Sequence, residues 1–302
     1  MRCSILKYAS RSEVREMTEN PITPEQPSFW RRFLRSKQGV AGLLIILLNI
    51  GVAFFAPCIS SFDYDEMDFL NILVKPGAEG HFLGTDDMGR DIATRLIYGA
   101  RVSLMVGVVA VSIGAFFGTL LGVWAGYCGG VFDSVLMRLM DALLSFPYIL
   151  LAIAMMAALG AGLFNAMLAI GLVMVPSFAR VVRGAVLGVK NEDFIKSVRI
   201  MGGSHLWIVT RHIFINIMSP IIVYASLSFA GAVISEATLS FLGLGIQPPT
   251  PSWGSMLSEA MPFMDKAPMM AVFPGVAILA MCLGFNLLGD GLRDILDPRL
   301  RG

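Results

Sequence analysis

Apolar residues along this chain gather into blocks of about twenty, separated by stretches that hold most of the charge. A helix needs about 20 mostly apolar residues to cross the hydrocarbon core of a bilayer. Six segments reach that length: 39–59, 102–127, 135–159, 163–182, 218–240 and 269–289. The pattern predicts an all-α polytopic membrane protein with six transmembrane helices. In the second block Gly107, Gly114, Gly118 and Gly122 fall on one helical face. Small residues at that spacing let another helix backbone approach closely, so tight packing of this span is expected.

The polar stretches divide the chain further. Residues 1–38 form an N-terminal segment, and 39–302 hold the transmembrane domain with an external loop at 60–101 and a cytoplasmic loop at 183–217. Residues 20–27 (NPITPEQP) read as an extended linker. Residues 28–37 place Phe29, Trp30, Phe33 and Leu34 on one face with arginines opposite. That suits either a short helix on the membrane surface or an irregular basic flank. The polar leader exceeds the n-region of a signal peptide, so no cleavable signal is expected. The 183–217 loop is too apolar for a plain connection. Phe194, Ile195, Val198 and Met201 recur at helical spacing, which predicts a short amphipathic helix over 192–201. Asn191 or Asp193 would cap it, and Gly202 and Gly203 would end it. A second helical run starts near His205 and feeds the fifth span.

Composition supports the membrane reading. The chain is 56% hydrophobic and 15% charged, against about 25% charged in an ordinary soluble domain. Its net charge of +1 says little, but the placement of lysine and arginine says more. Eighteen of the 23 lie in the N-terminal segment, beside the third span, in and near the 183–217 loop, or in the tail. The other five are Lys75, Arg90, Arg95, Arg101 and Lys266. Cytoplasmic loops carry the excess, so both termini and the 183–217 loop are expected in the cytoplasm.

Chemistry within the chain is not expected. There is no GxxxxGK[ST] phosphate loop, so the chain is not an ATPase. The four cysteines form no CxxC, and His81, His205 and His212 show no metal-site spacing. No catalytic residue, cofactor or metal is assigned, and no basic run has the aromatic interleaving of a nucleic-acid site. Gly202-Gly203-Ser204 lacks the strand-turn-helix elbow of a serine nucleophile.

Four segments carry a family resemblance: 82–104 (FLGTDDMGRDIATRLIYGARVSL), 126–147 (GYCGGVFDSVLMRLMDALLSFP), 235–257 (SEATLSFLGLGIQPPTPSWGSML) and 285–302 (FNLLGDGLRDILDPRLRG). They resemble the second permease of the dipeptide, oligopeptide, glutathione and nickel subfamily of ABC importers. The 191–220 loop looks like the ATPase-docking loop of such permeases, with Gly202 at its central glycine. Lys196, Ser197 and Val198 replace its Glu-Ala-Ala, and Ile215 stands at its proline.

The resemblance implies a type I ABC importer permease fold in the bacterial inner membrane. It implies a sister permease, two cytoplasmic ATPase subunits holding ATP and magnesium, and an external binding protein that delivers a peptide. A nickel chelate or another small solute is the alternative cargo, and a secondary transporter is the rival class. Asp193, Phe194, Ile195, Lys196, Ser197, Val198, Gly202 and Gly203 would couple to the ATPase. Gly84, Thr85, Asp86, Gly89, Arg90, Asp91 and Arg95 would form an external cap or a receptor-facing surface, or else a solvated ion-pair loop. Glu236 would line the substrate path or serve as a buried hydrogen-bonding group. Arg138 and Asp141, three apart, are placed to pair. Asp290, Arg293, Asp294 and Asp297 would fix the tail after the last span.

Overall fold

The computed structural model describes residues 29–78 and 80–296. Among them there are helices and two isolated β-bridges, and no strand. A short helix, α1 (Phe29–Arg35), precedes α2 (Lys37–Phe54). Ser36 separates them and caps α2, its hydroxyl accepting from the Gly39 N–H. Phe33 is buried while Trp30 and Leu34 are exposed, so α1 is anchored by one ring. After the loop that follows α2 come α3 (Ile92–Cys128), α4 (Gly130–Leu144), α5 (Tyr148–Leu159) and α6 (Leu163–Val189). Then come α7 (Asp193–Ile200), α8 (Phe214–Phe241), α9 (Trp253–Ala260) and α10 (Met269–Leu296).

Among the described residues five helices are long and apolar enough to cross a bilayer: α2, α3, α6, α8 with its lead-in from His205, and α10. A sixth crossing is made only if α4 and α5 count as one span, and they meet at 90°. The expected single helix over 135–159 is therefore broken at 145–147. Pro147 has no N–H for the Leu143 carbonyl, and its ring biases Phe146 away from helical geometry. Helix α3 and the α8 stretch also run longer than their apolar blocks, 102–127 and 218–240. Asp91 starts α3 ten residues before the expected boundary by accepting from the Thr94 N–H at 2.7 Å.

The core is built on α6, the most enclosed of the long helices, and on its crossing with α3. A Cβ at Gly118 would lie 2.3 Å from the Phe178 Cβ, and one at Gly122 would lie 2.6 Å from the Ala179 carbonyl oxygen. The expected close approach along this glycine face is thus present. Two ion pairs tie α4 to α6. Asp133 accepts twice from Arg183, both at 2.6 Å, and Asp141 pairs with Arg180. Asp141 therefore reaches across to α6 and not along its own helix to Arg138, which is exposed. Asp297 and the tail beyond it lie outside the described residues.

Candidate functional site

At the end of the bundle where α3 and α6 end and α4 begins, α7 is a two-faced helix. Ile195 and Val198 are buried against Val123, Val182, Val186, Ile208 and Ile213. Phe194, Ile200 and Met201 are exposed, and so are Leu206 and Trp207 beyond the turn. The four apolar residues grouped by spacing thus divide: Ile195 and Val198 root the helix, while Phe194 and Met201 point outward. Glu192 occupies the N-cap without a side-chain bond, so neither Asn191 nor Asp193 caps. Asp193 instead accepts from Lys196 at 2.8 Å, and that bond holds its carboxyl below the usual range. Ser197 donates to the Asp193 carbonyl oxygen.

The end of α7 is fixed by two nested bonds. The Gly203 N–H donates to the Val198 carbonyl at 3.1 Å, and the Gly202 N–H to the Arg199 carbonyl at 3.1 Å. Gly202 has φ +83°. This is the left-handed C-terminal cap that glycine adopts without strain. Ser204 then caps the next turn. The following residues, Ile208–Ile213, form a π-turn before α8. Ile208, Ile213, Ile217 and Ile221 are all buried, at spacings of five, four and four. A five-residue step in an α-helix rotates a side chain by about 140°. The π-turn absorbs the extra residue and keeps all four isoleucines on one face.

At the opposite end lies a folded cap. Gly84 (φ +83°) and Gly89 (φ +75°) allow its tight turns, and a Cβ at Gly89 would overlap the Asp68 carbonyl oxygen at 1.9 Å. Asp86 accepts from the Met88 and Arg90 N–H groups, both 2.9 Å, and from Arg90 Nε at 2.6 Å. Arg90 and Arg95 each donate to Glu259 Oε2 at 2.8 Å. Asp91 Oδ1 lies 2.9 Å from His81 Nδ1. Thr85 donates to the Asn71 carbonyl and accepts from the Val74 N–H. Thr85, Asp86, Arg90, Asp91 and Arg95 are all buried. They face inward and hold the loop's shape. Glu259, on α9, went unnoticed in the sequence although it joins both arginines. Burial pushes its carboxyl up, against the pull of Arg95 and Arg90.

Glu236 lies between these two ends on α8, closer to the cap, and is fully buried. Its Oε1 accepts from Ser240 at 2.8 Å and its Oε2 from Ser103 at 3.4 Å, while Ser252 also reaches it. In this conformation the chain's own helices enclose it.

Residues 118–302 match the model of the binding-protein-dependent transport system inner membrane component. Residues 28–76 match the N-terminal transmembrane domain of oligopeptide transport permease C. The chain belongs to the family of binding-protein-dependent inner-membrane permeases. It is 46% identical over 280 residues to the dipeptide transport system permease protein DppC of Alkalihalophilus pseudofirmus, covering 93% of this chain and 91% of that one. It is 48% identical over 275 residues to the glutathione transport system permease protein GsiD of Escherichia coli O157:H7, covering 91% and 90%. The GsiD protein of Pectobacterium atrosepticum is 45% identical over 273 residues, covering 90% and 91%.

As a permease of this family the chain is a transport subunit and not an enzyme. Its chemistry is therefore mechanical: which faces are filled by its own helices, and which are left open. By that measure α7 and its turn are rooted on one side and unfilled on the other, whereas Asp86, Arg90, Arg95 and Glu236 are buried among the chain's own residues.

Proposed function

We propose that this chain is one of two permeases enclosing the path of an ATP-driven importer of short peptides. The cargo class rests on the relatives named for dipeptide and glutathione transport. The single observation that carries the mechanism is the exposed apolar group Phe194, Ile200, Met201, Leu206 and Trp207 around a rigid glycine turn. These five lie on a loop rich in lysine and arginine, at the end proposed to be cytoplasmic. An apolar face in water costs free energy unless a partner covers it. The fitting partner is a cytoplasmic ATPase subunit, which holds the nucleotide and magnesium this chain has no loop to bind. Nucleotide-driven closure of two such subunits moves α7, and the π-turn passes that movement into α8. The sister permease completes the path, and an external binding protein delivers cargo at the cap end. The conformational equilibrium is biased by nucleotide at one end and by the loaded binding protein at the other.

Co-expression with the sister permease and ATPase subunits tests this reading. The chain purified alone should not hydrolyse ATP, while the assembled complex in vesicles should import peptide only with ATP and binding protein. A periplasm-active reporter should be active after Asp68 or Gly254 and silent after Asn191. Import by the single chain without ATP would overturn the proposal.

A further inference from the structure

The first part of the external loop has an outward face separate from the buried ion network of the cap. In 62–66 the side chains alternate. Phe62 stacks on His81 with ring centroids 4.7 Å apart, and Tyr64 lies 5.1 Å from the Tyr98 ring. The intervening Asp63, Asp65 and Glu66 are exposed. Two anchored rings thus turn three carboxylates outward. The pattern then changes, because Met67, Phe69 and Leu70 are exposed as well, Phe69 at 69% and Leu70 at 95%. Phe82 at 80% and Ile72 extend the apolar exposure along the cap. From 60 to 76 the chain carries Asp63, Asp65, Glu66 and Asp68 against a single base, Lys75.

This face is held rigid. The Leu73 N–H donates to the Asp86 carbonyl at 3.1 Å, and Thr85 bridges Asn71 and Val74. The Asp68 carbonyl sits on the Gly89 turn, and Asp68 itself accepts from the Leu70 N–H and from Asn71 Nδ2. The buried ion network of Asp86, Arg90, Arg95 and Glu259 lies directly behind. A prebuilt surface loses little conformational entropy on binding, which favours recognition.

Three kinds of occupant differ in what they require. A lipid surface with anionic headgroups repels four clustered carboxylates, and the basic residues that anchor a chain at an interface are missing here. An obligate permease–permease contact is more uniformly apolar, like a core cut in half. Exposed aromatic, leucine and methionine side chains rimmed by charge of one sign suit a reversible protein encounter, steered by charge and held by a few apolar anchors. The family to which the chain belongs depends on such a partner, a separate binding protein.

We infer that the outward face of residues 63–72 docks the external binding protein, with Asp63, Asp65 and Glu66 meeting a basic rim on that protein and Phe69 and Leu70 entering an apolar recess. This inference rests on the proposed orientation, which places the cap outside. It deepens that reading by fixing the docking segment and the sign of the partner's charge.

The test uses the assembled complex in nanodiscs of neutral lipid and the purified binding protein of the same transport system. Binding is measured by fluorescence anisotropy from about 50 to about 300 mM salt, over which the screening length falls from roughly 14 to roughly 6 Å. Wild type should bind, and more weakly as salt rises. The triple variant Asp63→Lys, Asp65→Lys, Glu66→Lys should bind at least about tenfold more weakly at low salt and lose most of the salt dependence. Leu70→Ala should weaken binding by about fivefold or more and keep the salt dependence. Basal ATP hydrolysis without binding protein should stay at the wild-type level in both variants, because neither touches the ion network or α7. Wild-type affinity and salt slope in the triple variant would overturn the inference, and so would loss of the sister permease from the purified complex. Failure of wild type to engage any binding protein would instead overturn the proposed function.

Discussion

Gly202 offers the sharpest test of the turn after α7, because its environment separates conformational strain from steric clash. Its φ is +83°, and a Cβ built there meets nothing within 4 Å. Any cost of a side chain is then purely the backbone cost of the left-handed region, about 1–2 kcal/mol for an L-residue and more for a β-branched one. That corresponds to a roughly 5- to 30-fold loss in the population of the capped turn. The expected order of disturbance is Gly202→Asn least, Gly202→Ala intermediate and Gly202→Val greatest, since Asn tolerates this region. None of these changes alters a span, so insertion and yield should be unaffected. The assay is peptide import per assembled complex in vesicles, with ATP hydrolysis measured in the same preparation. Gly202→Val should lower import at least about fivefold while hydrolysis persists or the ATPase dissociates. Gly202→Asn should retain most import. Equal import by Gly202→Val and wild type would refute the coupling role, and so would equal losses in Asn and Val.

Phe194→Asp and Ile195→Asp should fail differently: the exposed Phe194 change weakens ATPase retention at normal yield, whereas Ile195→Asp buries a charge and lowers the yield itself. Pull-down of the ATPase, scored against membrane yield, separates them. Glu259→Gln removes the carboxylate shared by two buried guanidiniums, a loss below the about 3–5 kcal/mol of a fully buried pair because Asp86 still faces both arginines; hydrogen exchange of residues 84–95 should speed up, and unchanged protection would show that Asp86 alone suffices. Glu236→Gln should reduce the amount of assembled complex with normal import per complex, and altered import at normal yield would assign it to the path instead. Deleting exposed Thr210 brings Ile208 and Ile213 to a four-residue spacing; the π-turn should become α-helix, and import should fall while assembly holds.

The apolar blocks made the helices legible, and the motifs made the family legible, because both are properties of local sequence. What escaped was set by distant partners or by a single residue within a block. Pro147 was present in the third block, but hydropathy averages over a window and is blind to one missing N–H. Arg138 and Asp141 have helical pairing distance, yet Asp141 finds Arg180 on α6, because packing of α4 decides which cation is near. The burial of Asp86, Arg90 and Arg95 depends on Glu259, which lies 164 positions from Arg95. In α7 the spacing of four apolar residues was real, but the helix ends at Ile200, so Met201 already belongs to its cap. The π-turn did leave a trace in the five-residue step from Ile208 to Ile213. That step breaks the helical period and would have marked it.

Helix α8 and its lead-in connect all of these features. From His205 to Phe241 the chain runs as one continuous stretch, entered by the π-turn and ended beside the cap. At its entry Ile208, Ile213 and Ile217 share a core with Ile195 and Val198 of α7. Near its exit Glu236 gathers serines from α3, from α8 itself and from the start of α9. A Cβ at Gly254 of α9 would lie 2.2 Å from the Ala237 carbonyl, so α9 rests directly on α8. Trp253 of α9 donates to the Leu96 carbonyl on α3, and Glu259 holds the cap arginines. A rigid strut fixed at both ends to surface elements can carry a displacement only if one joint yields. The cap joint is tied by a buried carboxylate, an indole and two ion pairs. The entry joint is a π-turn with exposed Thr210 and Arg211. On the proposed mechanism an ATPase pushing on α7 would therefore load the entry joint, where the core that Ile208, Ile213 and Ile217 share with Ile195 and Val198 would carry the push into α8.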